Sequence, residues 1–112
     1  MKVAVIGSRS ITRLELENYL PDGTDEIVSG GAKGVDTCAR MYAISHGIKL
    51  TEFLPDYERY GKAAPLRRND LIVDYADEVL AFWDGASTGT QYVVRRCRLK
   101  GTPVRVFKMV NE

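Results

Sequence analysis

Three short stretches of this chain close an apolar run with glycines and with small hydroxyl or cationic residues: Gly7-Ser8-Arg9, Gly30-Gly31-Ala32-Lys33-Gly34 and Gly85-Ala86-Ser87-Thr88-Gly89-Thr90. Glycine lets the backbone turn sharply and approach a ligand closely. The second and third stretches run into segments patterned as helices, where free N–H groups and the positive end of the dipole favour an anion, with Arg9 and Lys33 at hand as counter-charges. A single such loop reads equally well as a tight turn after a strand. Three together, with cations inside them, point to a phosphate. The expected seats of its oxygens are the N–H groups of Gly31 to Gly34 and of Ser87 to Thr90, neutralised by Arg9, Lys33 or Arg68.

Other chemistries find less support. Lys33 is followed by Gly34 and not by the Ser or Thr that a Walker loop places on magnesium. GxGxxG is missing after the first apolar run, and the second ends in Ser29-Gly30 where an acidic residue would grip a ribose, which argues against a dinucleotide dehydrogenase. The single histidine, His46, stands near a helix end with no Ser/His/Asp or Cys/His spacing around it. Cys38 and Cys97 form neither a CxxC pair nor a Cys/His cluster, so we expect no metal, no resident cofactor and a reducing, cytoplasmic setting. No apolar run approaches the ~20 residues of a membrane span. A formal net charge of +1 speaks against a globally basic nucleic-acid binder, although local patches stay open: Arg95 to Lys100 reads first as a solvated helix face.

The elements that must position the loops follow from hydrophobic periodicity. Lys2 to Ile6 reads as a strand buried on both faces. Thr12-Arg13-Leu14-Glu15 has capping-box spacing and predicts a helix over Arg13 to Leu20, stopped by Pro21. A strand follows over Glu26 to Ser29, then a helix from Val35 to about Ser45, with Val35, Ala39, Tyr42, Ala43 and His46 on one face. Ile48 to Leu54 is a third strand. A helix opens at Pro65, with Leu66, Ile72, Val73 and Ala76 as its buried side. The strand Glu78 to Trp83, a helix over Gly89 to Lys100 and the strand Val104 to Phe107 complete the chain. This alternation predicts one α/β domain over 1–112, a Rossmann-like open parallel sheet of about five strands with helices on both faces. Ligands of such sheets bind beyond the carboxyl ends of the strands, where the glycine loops lie.

GSR, SGGAKGVD, PLRRNDLIVDYADEVLAFWDG and STGT occur in this order over residues 3–107. Together they resemble the SLOG superfamily, in particular its small stand-alone members of the YspA type, related to DprA and to the LOG-type phosphoribohydrolases that release a base from a nucleoside monophosphate. The resemblance implies a sheet that binds a nucleotide or nucleotide derivative, often as a sensor. It implies that Gly7, Ser8 and Arg9 form a first ligand loop, Gly30, Gly31 and Gly34 a second, and Ser87, Gly89 and Thr90 a phosphate cradle, with Arg68 and Asn69 pointing from a helix into the cleft. Asp36 reads two ways, as favourable charge at a helix N-terminus or as a hydrogen-bond partner of a ribose or of Lys33. Tyr57, Arg59, Tyr60 and Lys62 either stack a base and meet phosphate or pack among themselves.

The departure from that pattern lies in GASTGTQYV, where LOG-type hydrolases resemble PGGxGTxxE. Val93 stands in the place of the glutamate, and valine can neither move a proton nor stabilise an oxocarbenium-like charge. Binding without turnover is therefore the leading expectation. Its alternatives are a nucleotide-processing hydrolase that uses Asp84 or Asp36 in place of the missing acid, and a DprA-like nucleic-acid binder. A homo-oligomer is an open possibility; a membrane partner is not expected.

Overall fold

The computed structural model describes residues 1–109. Five parallel strands form one sheet: β1 Lys2–Gly7, β2 Glu26–Ser29, β3 Lys49–Glu52, β4 Glu78–Trp83 and β5 Val104–Lys108. Their order is β3-β2-β1-β4-β5, with Val3 opposite both Ile27 and Glu78. This is a Rossmann-like open sheet. Because the order reverses direction between β1 and β4, their carboxyl ends flank the switch point at which a crevice opens in such folds.

The continuous apolar runs of β1 and β4 are explained by burial on both faces. Val3, Val5, Leu80 and Phe82 pack with Ile27 under α1, Val35–Ser45. Ala4, Ile6, Val79 and Ala81 pack on the other face under α3, Ala64–Tyr75, and α4, Thr88–Lys100. A short helix, α2 Tyr57–Tyr60, precedes α3; Asp56 caps it by accepting the Arg59 N–H at 3.2 Å, so the Tyr57 to Tyr60 stretch is a helical turn rather than an open loop. Among the described residues no helix is long and apolar enough to cross a membrane.

The helix expected over Arg13 to Leu20 is not formed. Only a 3-10 turn, Leu16–Asn18, appears there, and Glu15 at its start makes no side-chain cap. Ile11 and Leu16 are both fully buried in the core under α1. Within the expected span Leu14 also packs against this core, and two residues from Leu16 it would stand roughly 160° away on an α-helix, so a looser path is needed to bring both inward. Likewise β3 is shorter than Ile48 to Leu54. Leu66 is 41% exposed instead of buried, and the inner side of α3 is made by Ala64, Arg68, Ile72 and Val73.

Candidate ligand-binding site

A cleft of about 610 Å³ opens at the carboxyl ends of β1 and β4. Ile6, Ile72 and Val93 give it an apolar floor, and Pro65 and Leu66 from the first turn of α3 an apolar wall. Its polar lining comes from four places: Arg9 and Ser10 after β1, Asp36 in the first turn of α1, Arg68 and Asn69 on α3, and Asp84, Ser87, Thr88 and Thr90 in the β4–α4 loop and the first turn of α4. Such a concave pocket, mostly apolar with a few convergent polar groups, is the usual form of a small-molecule site.

Arg68 is the most constrained of these groups. Only 8% exposed, it donates from Nη1 to the carbonyls of Gly30 and, at 3.5 Å, of Phe53, and from Nε to Asn69 Oδ1 at 2.8 Å. Among the described residues no acceptor takes its Nη2. Gly30 is required by this arrangement, since a Cβ there would lie 2.5 Å from Nη1. Burial lowers the pKa of the guanidinium against the attraction of Asp36. Asp36, 7% exposed, accepts the Ala32 N–H at 3.1 Å; burial raises its carboxyl above the ordinary range, with that N–H and the Arg68 charge pulling the other way.

Asp84 lives in the opposite environment. Its Oδ1 accepts the N–H groups of Ala86 at 2.8 Å and Ser87 at 2.9 Å, and its Oδ2 accepts the Ser10 hydroxyl at 2.7 Å. These bonds, led by that from Ala86, hold its pKa at about 2. Ser87 caps α4 by accepting the Thr90 N–H at 3.2 Å. The other first-turn donors, Thr88 and Gly89, have N–H groups that meet no acceptor among the described residues, as is usual at a helix start. An added Cβ at Gly89 would meet only Ser87 Oγ, at 4.0 Å, so this position faces open space.

Of the residues expected at the site, Gly7, Arg9, Asp36, Arg68, Asn69, Asp84, Ser87, Gly89 and Thr90 line the cleft. Ser8, Gly30, Gly31, Lys33 and Gly34 do not. Ser8 is a buried tie: its hydroxyl accepts the Asp84 N–H at 3.0 Å, and its carbonyl accepts those of Ile11 and Val35. Gly34, at φ +77°, lets the α1 loop pass so close that a Cβ would sit 2.5 Å from the Ser8 carbonyl oxygen. Lys33 is exposed. Of the N–H groups expected to seat a phosphate, those of Ala32, Ser87 and Thr90 have internal partners. His46 stacks on Tyr42 at 3.9 Å at the C-terminus of α1, away from the cleft. Tyr57 and Tyr60 are exposed on α2, with Arg59 and Arg67 over the Tyr60 ring at 5.3 and 5.9 Å. Ser10, Pro65, Leu66 and Ala86 also line the cleft without having been expected to face a ligand, and Ala32 and Thr88, expected there only for their N–H groups, line it too. The glycine loop flagged the neighbourhood of Ala86 and Thr88; nothing in the spacing flags Ser10.

No family model and no solved structure matches the chain. The Gene 61 protein of Mycobacterium phage D29 is 37% identical to it over 87 residues, 72% of this chain and 70% of the phage protein.

Proposed function

From the premise that the chain belongs to the family of the Gene 61 protein of Mycobacterium phage D29, whose name states no activity, we propose that it binds a nucleotide or nucleotide derivative. One observation carries this reading: at the switch point of a Rossmann-like sheet, an apolar floor and wall face the start of α4, with two unclaimed N–H groups, and a buried arginine with an unclaimed Nη2. A phosphate fits the N–H groups and the guanidinium, and a base fits the apolar side. With it goes the proposal that this is a small SLOG-type protein acting as a ligand sensor in the cytoplasm, supported by the ordered motifs over 3–107 and by Val93 on the floor of the cleft where a catalytic acid would stand.

The test is a thermal-shift series with mono-, di- and cyclic nucleotides, ADP-ribose derivatives and short oligonucleotides. A specific ligand at a hundredfold excess over Kd adds about 2.7 kcal/mol, which raises Tm by roughly 10 °C or more in a domain of this size. A flat response across the series would sink the reading. A second reading, hydrolysis of the bound nucleotide, is favoured by the presence of two carboxylates with opposite environments in one cleft, the arrangement from which acid and base roles are drawn. It predicts a released base on chromatography that disappears in Asp36→Asn or Asp84→Asn while binding persists.

A further inference from the structure

Trp83, the sole tryptophan of the chain, closes β4 and does not itself line the cleft. Its half-buried indole donates from Nε1 to the Ser87 carbonyl at 3.1 Å. The same carbonyl accepts the Gln91 N–H at 3.3 Å, the opening hydrogen bond of α4. On its other side Ser87 is held by Asp84, which takes its N–H at 2.9 Å. The two peptide units that flank the cap of α4 are thus pinned separately, the first by a carboxylate and the second by an indole.

The second unit bears on a ligand. Ser87 C=O and Thr88 N–H belong to one peptide, and in a planar trans peptide they point opposite ways. A carbonyl held into the first turn of α4 therefore turns the Thr88 N–H out of the helix start, where Ser87, Thr88 and Gly89 line the cleft. Among the described residues that N–H meets no acceptor. Resting on the nucleotide reading above, we infer that Trp83 is a positioning residue, which aims the Thr88 N–H at the ligand's anionic group by holding the other end of the same peptide. The two hydrogen bonds are coupled. An anion that accepts the Thr88 N–H polarises the peptide and makes the Ser87 oxygen a better acceptor for the indole; by linkage, an indole bond already in place strengthens the hold on the anion.

The test is NMR titration of the ¹⁵N-labelled wild type and of Trp83→Phe with AMP, ADP, GMP, GDP and ADP-ribose. The sole tryptophan gives a single indole N–H cross-peak. With at least one of the five ligands that cross-peak should move downfield together with the Thr88 and Gly89 amides, all with one midpoint. A tryptophan that only fills space would leave it still. Trp83→Phe keeps an aromatic ring and loses the donor, so affinity should fall about three- to tenfold, the size of one neutral hydrogen bond. Thr88 and Gly89 amides that move without the indole overturn the inference and leave nucleotide binding intact, as does an unchanged affinity in the variant or a ligand that shifts only other residues. Should the variant not fold, the indole shift of the wild type decides alone. Failure of all five ligands to move any cross-peak overturns the nucleotide reading, and the inference with it.

Discussion

The two ends of the sheet each hold a nearly buried carboxylate, and they treat it differently. At the amino end Glu26, 7% exposed, accepts hydrogen bonds from Tyr75 at 2.6 Å and Thr51 at 2.8 Å and lies 3.5 Å from Lys49 Nζ. Burial pushes its pKa up, but these partners outweigh burial and the net direction is down. At the carboxyl end Asp36 has one N–H donor and a guanidinium neighbour, and burial wins. The amino end spends its polar groups on joining β2, β3 and α3. Among the described residues the carboxyl end leaves an arginine nitrogen and two N–H groups without acceptors, and such spare capacity is what binding needs.

That contrast breaks most sharply at Gly89. Gly89→Val places a branched side chain in the open cleft without a steric clash behind it. Ligand affinity should fall about a hundredfold or more, or ~2.7 kcal/mol, while Tm stays within about 2 °C. Retained affinity would remove the start of α4 from the site. Arg68 belongs to both functions at once, since it joins the loops after β2 and β3 to α3 and lines the cleft. A lysine cannot reach the two carbonyls and Asn69 with one ammonium group, so Arg68→Lys should cost about 1–3 kcal/mol in urea unfolding and weaken binding as well. A variant of wild-type stability would show those bonds to be idle. Tyr75→Phe removes one donor from Glu26 and should cost about 1.5 kcal/mol with ligand affinity unchanged. If affinity fell in step, the two ends would not be independent.

Most of the sheet was legible in the sequence, because β1, β4 and the inner face of α1 are apolar at the spacing their burial demands. The stretch after β1 was not: Thr12 and Glu15 carry a capping signal, but the tertiary demand to bring both Leu14 and Leu16 to the core overrides it. At the site, glycine spacing found the right loops and misassigned some of their parts. Ser8 and Gly34 serve close packing, and Lys33 is exposed and does not line the cleft. Asp36 stands in the first turn of α1, as one of its two readings has it, but its environment is set by Ala32 and Arg68, residues far apart in sequence from each other. Ser10 was invisible because its role depends on Asp84, seventy-four positions along the chain.

The smallest expected effect sharpens the comparison within the cleft itself, through pH. Asp84 has a folded pKa of about 2 against an ordinary value of 3.8, so between those values the unfolded chain binds the proton and the folded one does not. Stability from this group is complete above pH 3.8 and drains away as pH falls toward 2. Asp36 is shifted upward, so just above pH 3.8 it is the folded protein that holds the proton. Its contribution is complete below pH 3.8 and is lost as pH rises through its folded value. Urea unfolding at intervals from pH 2 to 6 separates the two. Asp84→Asn should flatten the rise in stability between pH 2 and 4, and Asp36→Asn should steepen the net rise above pH 3.8 by removing an opposing slope. Superimposable profiles for the two variants would mean that the carboxylates share one environment, and the division of the cleft into a saturated anion and an under-served one would fall.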